Sequence, residues 1–295
     1  MNAPQTLARL APAPRQVAAA PSWPQQLDIA LAQHGARTVA SHHHAGGLRL
    51  LAAHYPEGPQ RCHLTLVHPP GGLVGGDEID LHLRAAPHTQ ALITTPGATR
   101  FYRSLGGRAV QRAHLHLQAG ARVEWLPLES IAYPGCLAEN RLQFTLEPEA
   151  QLIAWDLLAL GLPAGNADFA RGRFTQHLEW PGHWLERGRI DAADAALLHA
   201  PGGWAGHTAQ GTLLLAAGSA LSADSRAALL DAARALAAQL GNGWVGATSP
   251  QPHLVLVRGL ADRIEPLLRL WQAIWSAWRQ IAWQTAACAP RVWRM

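Results

Sequence analysis

A succession of short runs of alternating apolar and polar residues, broken at nearly every step by Gly, Pro, Asn or Asp, narrows the possible folds of this chain most. The runs fall at residues 27–31, 37–40, 48–53, 62–67, 78–84, 89–94, 110–117, 122–126, 142–146, 151–155, 173–180 and 184–190. Ile79, Leu81 and Leu83 alternate strictly with Asp80, His82 and Arg84, the period of a half-buried strand. Such spacing without intervening helical patterns predicts a mainly β architecture in which successive strands pair or stack. No short exact repeat accompanies it, so period alone does not establish a solenoid.

Two helices are predicted in the last third. Ser222 is placed to cap a run over Ala223–Leu240 that Gly241 would close. Asp262 and Glu265 read as a capping box before Leu267, Leu268, Trp271, Ile274, Trp275, Trp278 and Ile281, a stripe at helical spacing that suits packing on a sheet. Residues 253–258 add one more strand between the helices. The opening tract, residues 1–22, is Ala- and Pro-rich without a steady period and reads as a mobile tail, so one ordered domain is expected over 23–295.

Composition excludes several classes. The basic charge comes from 24 arginines with no lysine, which removes a lysine nucleophile or Schiff base. The arginines are scattered among acids, unlike the basic runs of nucleic-acid binders. Cys62, Cys136 and Cys288 form no CxxC pair, so neither a disulfide framework nor a thiolate zinc site is signalled. No apolar span is long enough to cross a bilayer and no secretory leader is evident, so a reducing, cytoplasmic setting is expected.

The chemistry-bearing residues are sparse. Gly71, Gly72, Gly75 and Gly76 bracket Leu73 and Val74 and deliver Asp77, allowing positive φ on both sides of a small apolar knob. The loop lacks the Gly-Lys-Ser/Thr ending of a phosphate loop and opens no helix. Neither HExxH nor G-x-S-x-G occurs. His42, His43 and His44 sit beside Ser41 and Gly46-Gly47 and read as a solvated turn. Asp156 stands in an apolar run and Glu186 precedes Arg187; an acid in such a setting needs a partner, water or a cation.

Taken together these motifs resemble the UreD (UreH) family of urease accessory proteins. The resemblance lies in His68-Pro69-Pro70 with GGLVGGD, in TTPGATRFYRS ending at Ser104, and in EWLP at Glu124 to Pro127 with Glu129 and Ile131. It continues through AWD ending at Asp156, Leu160-Gly161, Glu186-Arg187 and PRVW at Pro290 to Trp293. It implies an irregular β-helix-like stack and a non-enzymatic scaffold that joins urease subunits to the partners UreF and UreG. It further implies a polar route for transient nickel along Asp77, Asp156 and Glu186, with Thr99 as a weaker hydroxyl position and no permanently bound cofactor. Departures are Gly46-Gly47-Leu48 in place of the usual GPL and Leu128 in place of glutamine. Two other readings stay open: a metal-dependent hydrolase using Asp77, Asp156 and histidines, and an adaptor with no metal route.

Overall fold

The computed structural model describes residues 23–162, 165, 167–240 and 244–294. The expected tail at 1–22 and the closure of a helix at Gly241 lie outside them. In chain order the strands begin with β1 (Trp23–His34), β2 (Arg37–Ala45), β3 (Arg49–Leu50), β4 (Arg61–Val67), β5 (Asp77–Ala85), β6 (Gln90–Thr94), β7 (Thr99–Phe101), β8 (Ala109–Leu117) and β9 (Arg122–Leu126). They continue with β10 (Ser130–Ala132), β11 (Leu137–Leu146), β12 (Gln151–Leu160), β13 (Arg173–Trp180), β14 (Trp184–Asp191), β15 (Ala209–Ala217), β16 (Val245–Gln251) and β17 (Leu254–Ala261). The helices are α1 (Ala195–His199), α2 (Ala223–Leu240) and α3 (Ile264–Trp283).

From β4 to β13 the chain passes back and forth between two sheets, and each return lays a strand parallel to its predecessor. One sheet holds β4, β6, β9 and β12 side by side, the other β5, β8, β11 and β13. The result is an irregular β-helix-like stack of about four coils, as the resemblance implies. Short β7 and β10 pair with each other, and β10 also with β12. At one end β1 and β2 extend the sheet of β5, β8, β11 and β13 to seven strands and β14 closes its other edge; β15, β17 and β16, with β3, β7 and β10, bring the sheet of β4, β6, β9 and β12 to ten strands and carry it past that edge.

Burial explains the sequence pattern. The outer face of the seven-stranded sheet is wet, so β5 alternates buried Ile79, Leu81 and Leu83 with half-buried or exposed Asp80, His82 and Arg84. The ten-stranded sheet is covered on both faces: Leu214 and Leu256 point into the core between the sheets, whereas Leu213, Leu215, Val255 and Val257 pack under the helices. In α3, Leu267, Leu270, Trp271, Ile274, Trp275 and Trp278 are buried, which makes the tryptophan stripe part of that second core. Ser222 caps α2 through its hydroxyl, which accepts from Ser225 N at 3.1 Å.

Two expectations are corrected. The histidine triplet lies in strand β2, not in a turn; His42, His43 and His44 pair with Ile29, Asp28 and Leu27, and the His42 and His44 rings stack on one face. The capping box does not form: Arg263 is the residue before α3 and gives it no side-chain cap, because Asp262 hydrogen-bonds His207 Nδ1 at 2.7 Å instead. Among the described residues a short third helix, α1, joins the two expected ones, and Asp194 caps it by accepting from Leu197 N at 2.9 Å. Cys62 and Cys136 are free and buried, and burial pushes both thiols up to about 12.

A buried ionic cluster ties the helices to the stack. Arg279 of α3, fully buried, reaches both oxygens of the equally buried Glu124 in β9 at 3.3 Å and also grips Glu57, in the loop before β4. Arg61 pairs with Glu57 at 3.1 Å, His63 joins it at 2.7 Å, and Trp275 Nε1 donates to Glu124 at 2.5 Å. Burial pushes the Glu124 carboxyl up against the pull of Arg279 and Arg61. Burial opposes ionisation of Glu57 too, but hydrogen bonds from His63 and Arg279 outweigh it and hold this acid at about 2. The two acids thus share the guanidinium charges unequally. At the C-terminus Trp293 donates to Thr94 Oγ1 at 2.8 Å and lies against Trp155 and Trp275.

Removing one member of a buried pair strands the other. Arg279→Ala is expected to cost about 3–5 kcal/mol in urea unfolding, while Glu124→Gln combined with Arg279→Met recovers most of the loss. A single-variant loss below about 1 kcal/mol would contradict this assignment.

Candidate functional site

The glycine loop and the FYRS turn are one unit. Leu73 N donates to Arg100 O at 2.7 Å and Tyr102 N to Leu73 O at 2.8 Å, seating the fully buried Leu73 beside Phe101. Gly71 and Gly76 supply the expected positive φ, +83° and +100°. Gly72 and Gly75 are needed for space: a Cβ would meet the Tyr102 ring at 2.4 Å in one case and Ser104 Oγ at 2.3 Å in the other. Asp77 closes the loop by accepting from Val74 N at 2.8 Å.

Behind this unit, parallel register lines up a row of side-chain amides. Gln111 of β8, Asn140 of β11 and Gln176 of β13 occupy matched positions on the inner face of the seven-stranded sheet. Gln111 Nε2 donates to Asn140 Oδ1 at 3.1 Å, and Asn140 Nδ2 donates to Asp156 Oδ1 at 3.1 Å. From the other side Gln210 Nε2 donates to Gln176 Oε1 at 3.2 Å, and Gln176 Nε2 to Asp156 Oδ2 at 2.7 Å. Both arms therefore direct hydrogen bonds at one carboxylate, which β12 of the opposite sheet delivers. Beyond Gln210, Glu186 of β14 accepts from Thr212 Oγ1 at 2.8 Å and from Arg258 Nε at 2.5 Å.

Cavities follow the same line. One of about 280 Å³ opens beside Gly71, Gly72 and His68 and reaches Thr99 and Gln111. Thr99 and Gln111 also line a small chamber of about 20 Å³ that ends on Asn140 and Asp156, room for about one water. On the far side of the Asp156–Gln176 contact a cleft of about 440 Å³ is lined by Gln176, Glu186, Gln210 and Arg258. Burial, with a smaller contribution from the charge of Glu186, raises the Asp156 carboxyl to about 6 despite its two amide donors.

The structure thus gathers Thr99, Asp156 and Glu186 along one line and leaves Asp77 off it, engaged in its loop. Among the described residues no group of three or more His, Cys, Asp or Glu is placed to hold a metal ion. Asn140, Gln176 and Gln210, absent from the sequence reading, complete the line. The first two were detectable, because alternation puts them on the same inner face as Leu142, Phe144, Leu178 and Trp180.

Residues 24–294 match the family model described as UreD urease accessory protein. The chain belongs to the UreD family. Curated relatives named urease accessory protein UreD include one from Polaromonas sp. (strain JS666 / ATCC BAA-500), 52% identical over 275 residues, covering 93% of this chain and all of the relative. Another, from Leptothrix cholodnii (strain ATCC 51168 / LMG 8142 / SP-6), is 53% identical over 262 residues, 88% of this chain and 93% of the relative. Membership in the UreD family supports a urease accessory role. One departure from the usual UreD motif has a local explanation: Gly47, at the position of the usual proline, uses its N–H to donate to Gln25 Oε1 at 2.9 Å, an oxygen that His68 Nε2 also reaches.

The folded chain holds the Asp156 proton more tightly than the unfolded one, so it binds more protons between about pH 4 and pH 6. Its contribution to stability falls as pH rises through that window and is flat above it. The melting-temperature difference between Asp156→Asn and the parent, followed from pH 4 to pH 8, is expected to shift in the variant's favour by the equivalent of about 2 kcal/mol as pH rises; a pH-independent difference would refute the assignment.

Proposed function

We propose that this protein is a non-enzymatic urease maturation scaffold that helps deliver nickel, as cargo, to apo-urease, acting in the cytoplasm with UreF and UreG. The observation that carries the reading is the line of cavities on either side of the Asp156–Gln176 contact, with Thr99 and Asp156 in the small chamber and Gln176 and Glu186 in the cleft beyond it. A divalent ion in transit needs oxygen ligands that hold it loosely; a closed set of His and Cys ligands would trap it. Asp156, flanked by neutral amides, and Glu186, shared with Arg258, are such ligands. Asp77 contributes by holding the loop that shapes the first chamber, and the ion passes Asp156 when the Gln176 side chain swings aside.

The hydrolase reading needs Asp77 and Asp156 on one ion with two histidines and an open position. Asp77 lines none of the three chambers and its carboxylate is taken by Val74 N, which favours the scaffold.

Co-expression with urease and the two partner proteins tests the reading. Asp156→Ala and Glu186→Ala are each expected to lower nickel per urease active site several-fold while the same proteins still co-purify. Full nickel loading in the double variant would leave only an adaptor role.

A further inference from the structure

The seven-stranded sheet stops at β14, whereas the ten-stranded sheet continues. Glu186 of β14 touches Thr212 of β15 and Arg258 of β17, so β16 projects past the edge. We propose that this step is a docking site for an extended acidic segment of another protein, which adds a strand to β14 and roofs the cleft of about 440 Å³ beneath it. The inference stands apart from the cation reading.

Four observations carry it. First, among the described residues β13 is the single neighbour of β14, which leaves one edge of β14 without a strand partner there. Ala192 N bonds Gly172 O just beyond the paired strands. By antiparallel alternation Ile190, Gly188 and Glu186 turn their amides towards β13, so Leu185, Arg187 and Arg189 present N–H and C=O groups outward. Second, Leu185 is 58% exposed and Trp244, across the cleft, is 43% exposed. An incoming strand would cover both. Third, Gly188 leaves open space where another residue would direct a side chain over the cleft.

Fourth, the charge is one-sided. Arg187 and Arg189 stand on the exposed outer face and Arg258 lines the cleft, with Glu186 and Asp191 only partly offsetting them. Arginines on an edge repel a second copy of the same edge. They also match carboxylates at alternate positions of a different strand, whose intervening side chains fill the apolar cleft walls at Trp204 and Trp244. Charge alone would only protect the edge; the cleft beside it makes the edge a receptor.

A fluorescein-labelled seven-residue peptide alternating Val and Glu tests this on the full-length protein by anisotropy titration. Binding is expected, and a matched peptide methylated on alternate backbone nitrogens should lose affinity on the order of ten-fold or more, as should a Val/Lys peptide. Arg187→Glu with Arg189→Glu should weaken the acidic peptide similarly and strengthen the Val/Lys one. The two peptide controls leave the protein untouched and so decide the matter even if that variant folds poorly. Equal binding of the methylated peptide, no binding of the acidic peptide, or sedimentation showing self-association through β14 would overturn the proposal.

Discussion

Parallel, in-register pairing of successive coils is the constraint on which the rest of this molecule depends. Because each strand lies directly beside its predecessor, a residue type repeated at matched inner positions becomes a continuous line through the stack. Gln111, Asn140 and Gln176 lie far apart in sequence yet form neighbouring rungs. A buried polar group is costly alone and acceptable in a satisfied row. The row then gives Asp156, arriving from the facing sheet, two donors that no single strand provides. The line of cavities follows the same register.

Much of this architecture was legible in the residues. Alternation located β5, β8 and β13 because one face of their sheet is wet, and the stripe from Leu267 to Ile281 located α3 because one face of the helix is covered. Turn residues at their ends located most strands of the doubly covered sheet, such as β4, β9 and β17, but β15 was missed. In β15, Leu213 to Ala217 is uniformly apolar, as expected of a strand with a core on each side, and so carries no period-two signal. Strand β2 was obscured by three consecutive histidines beside a glycine pair, although its pairing with β1 decides its conformation. The Asp262–Glu265 pattern was a plausible cap, but a contact 55 residues away, to His207, claimed the aspartate.

The site was legible residue by residue, not as an arrangement. Asp156 stood out as an acid in an apolar run, but its nearness to Glu186 depends on β12 and β14 facing each other across two sheets, which local pattern cannot reveal. The ionic cluster was harder still. Glu124 lies within a recognisable motif, yet its partner Arg279 is 155 positions away on a helix whose polar side reads as solvent-facing. Burying Arg279 there makes the helical layer and the coils mutually dependent: the guanidinium that seats α3 also neutralises acids from β9 and from the loop before β4.

The two buried cysteines bear on how the molecule handles soft chemistry. With their thiols raised to about 12, Cys62 and Cys136 are ionised on the order of once in 100,000 at neutral pH. They are thus inert towards peroxide and poor scavengers of borderline metals. Of the three cysteines only Cys288, free and partly buried near the C-terminus, stays within reach of such chemistry, so any soft reagent or metal that reacts with sulfur here is steered away from the coils and towards that one position.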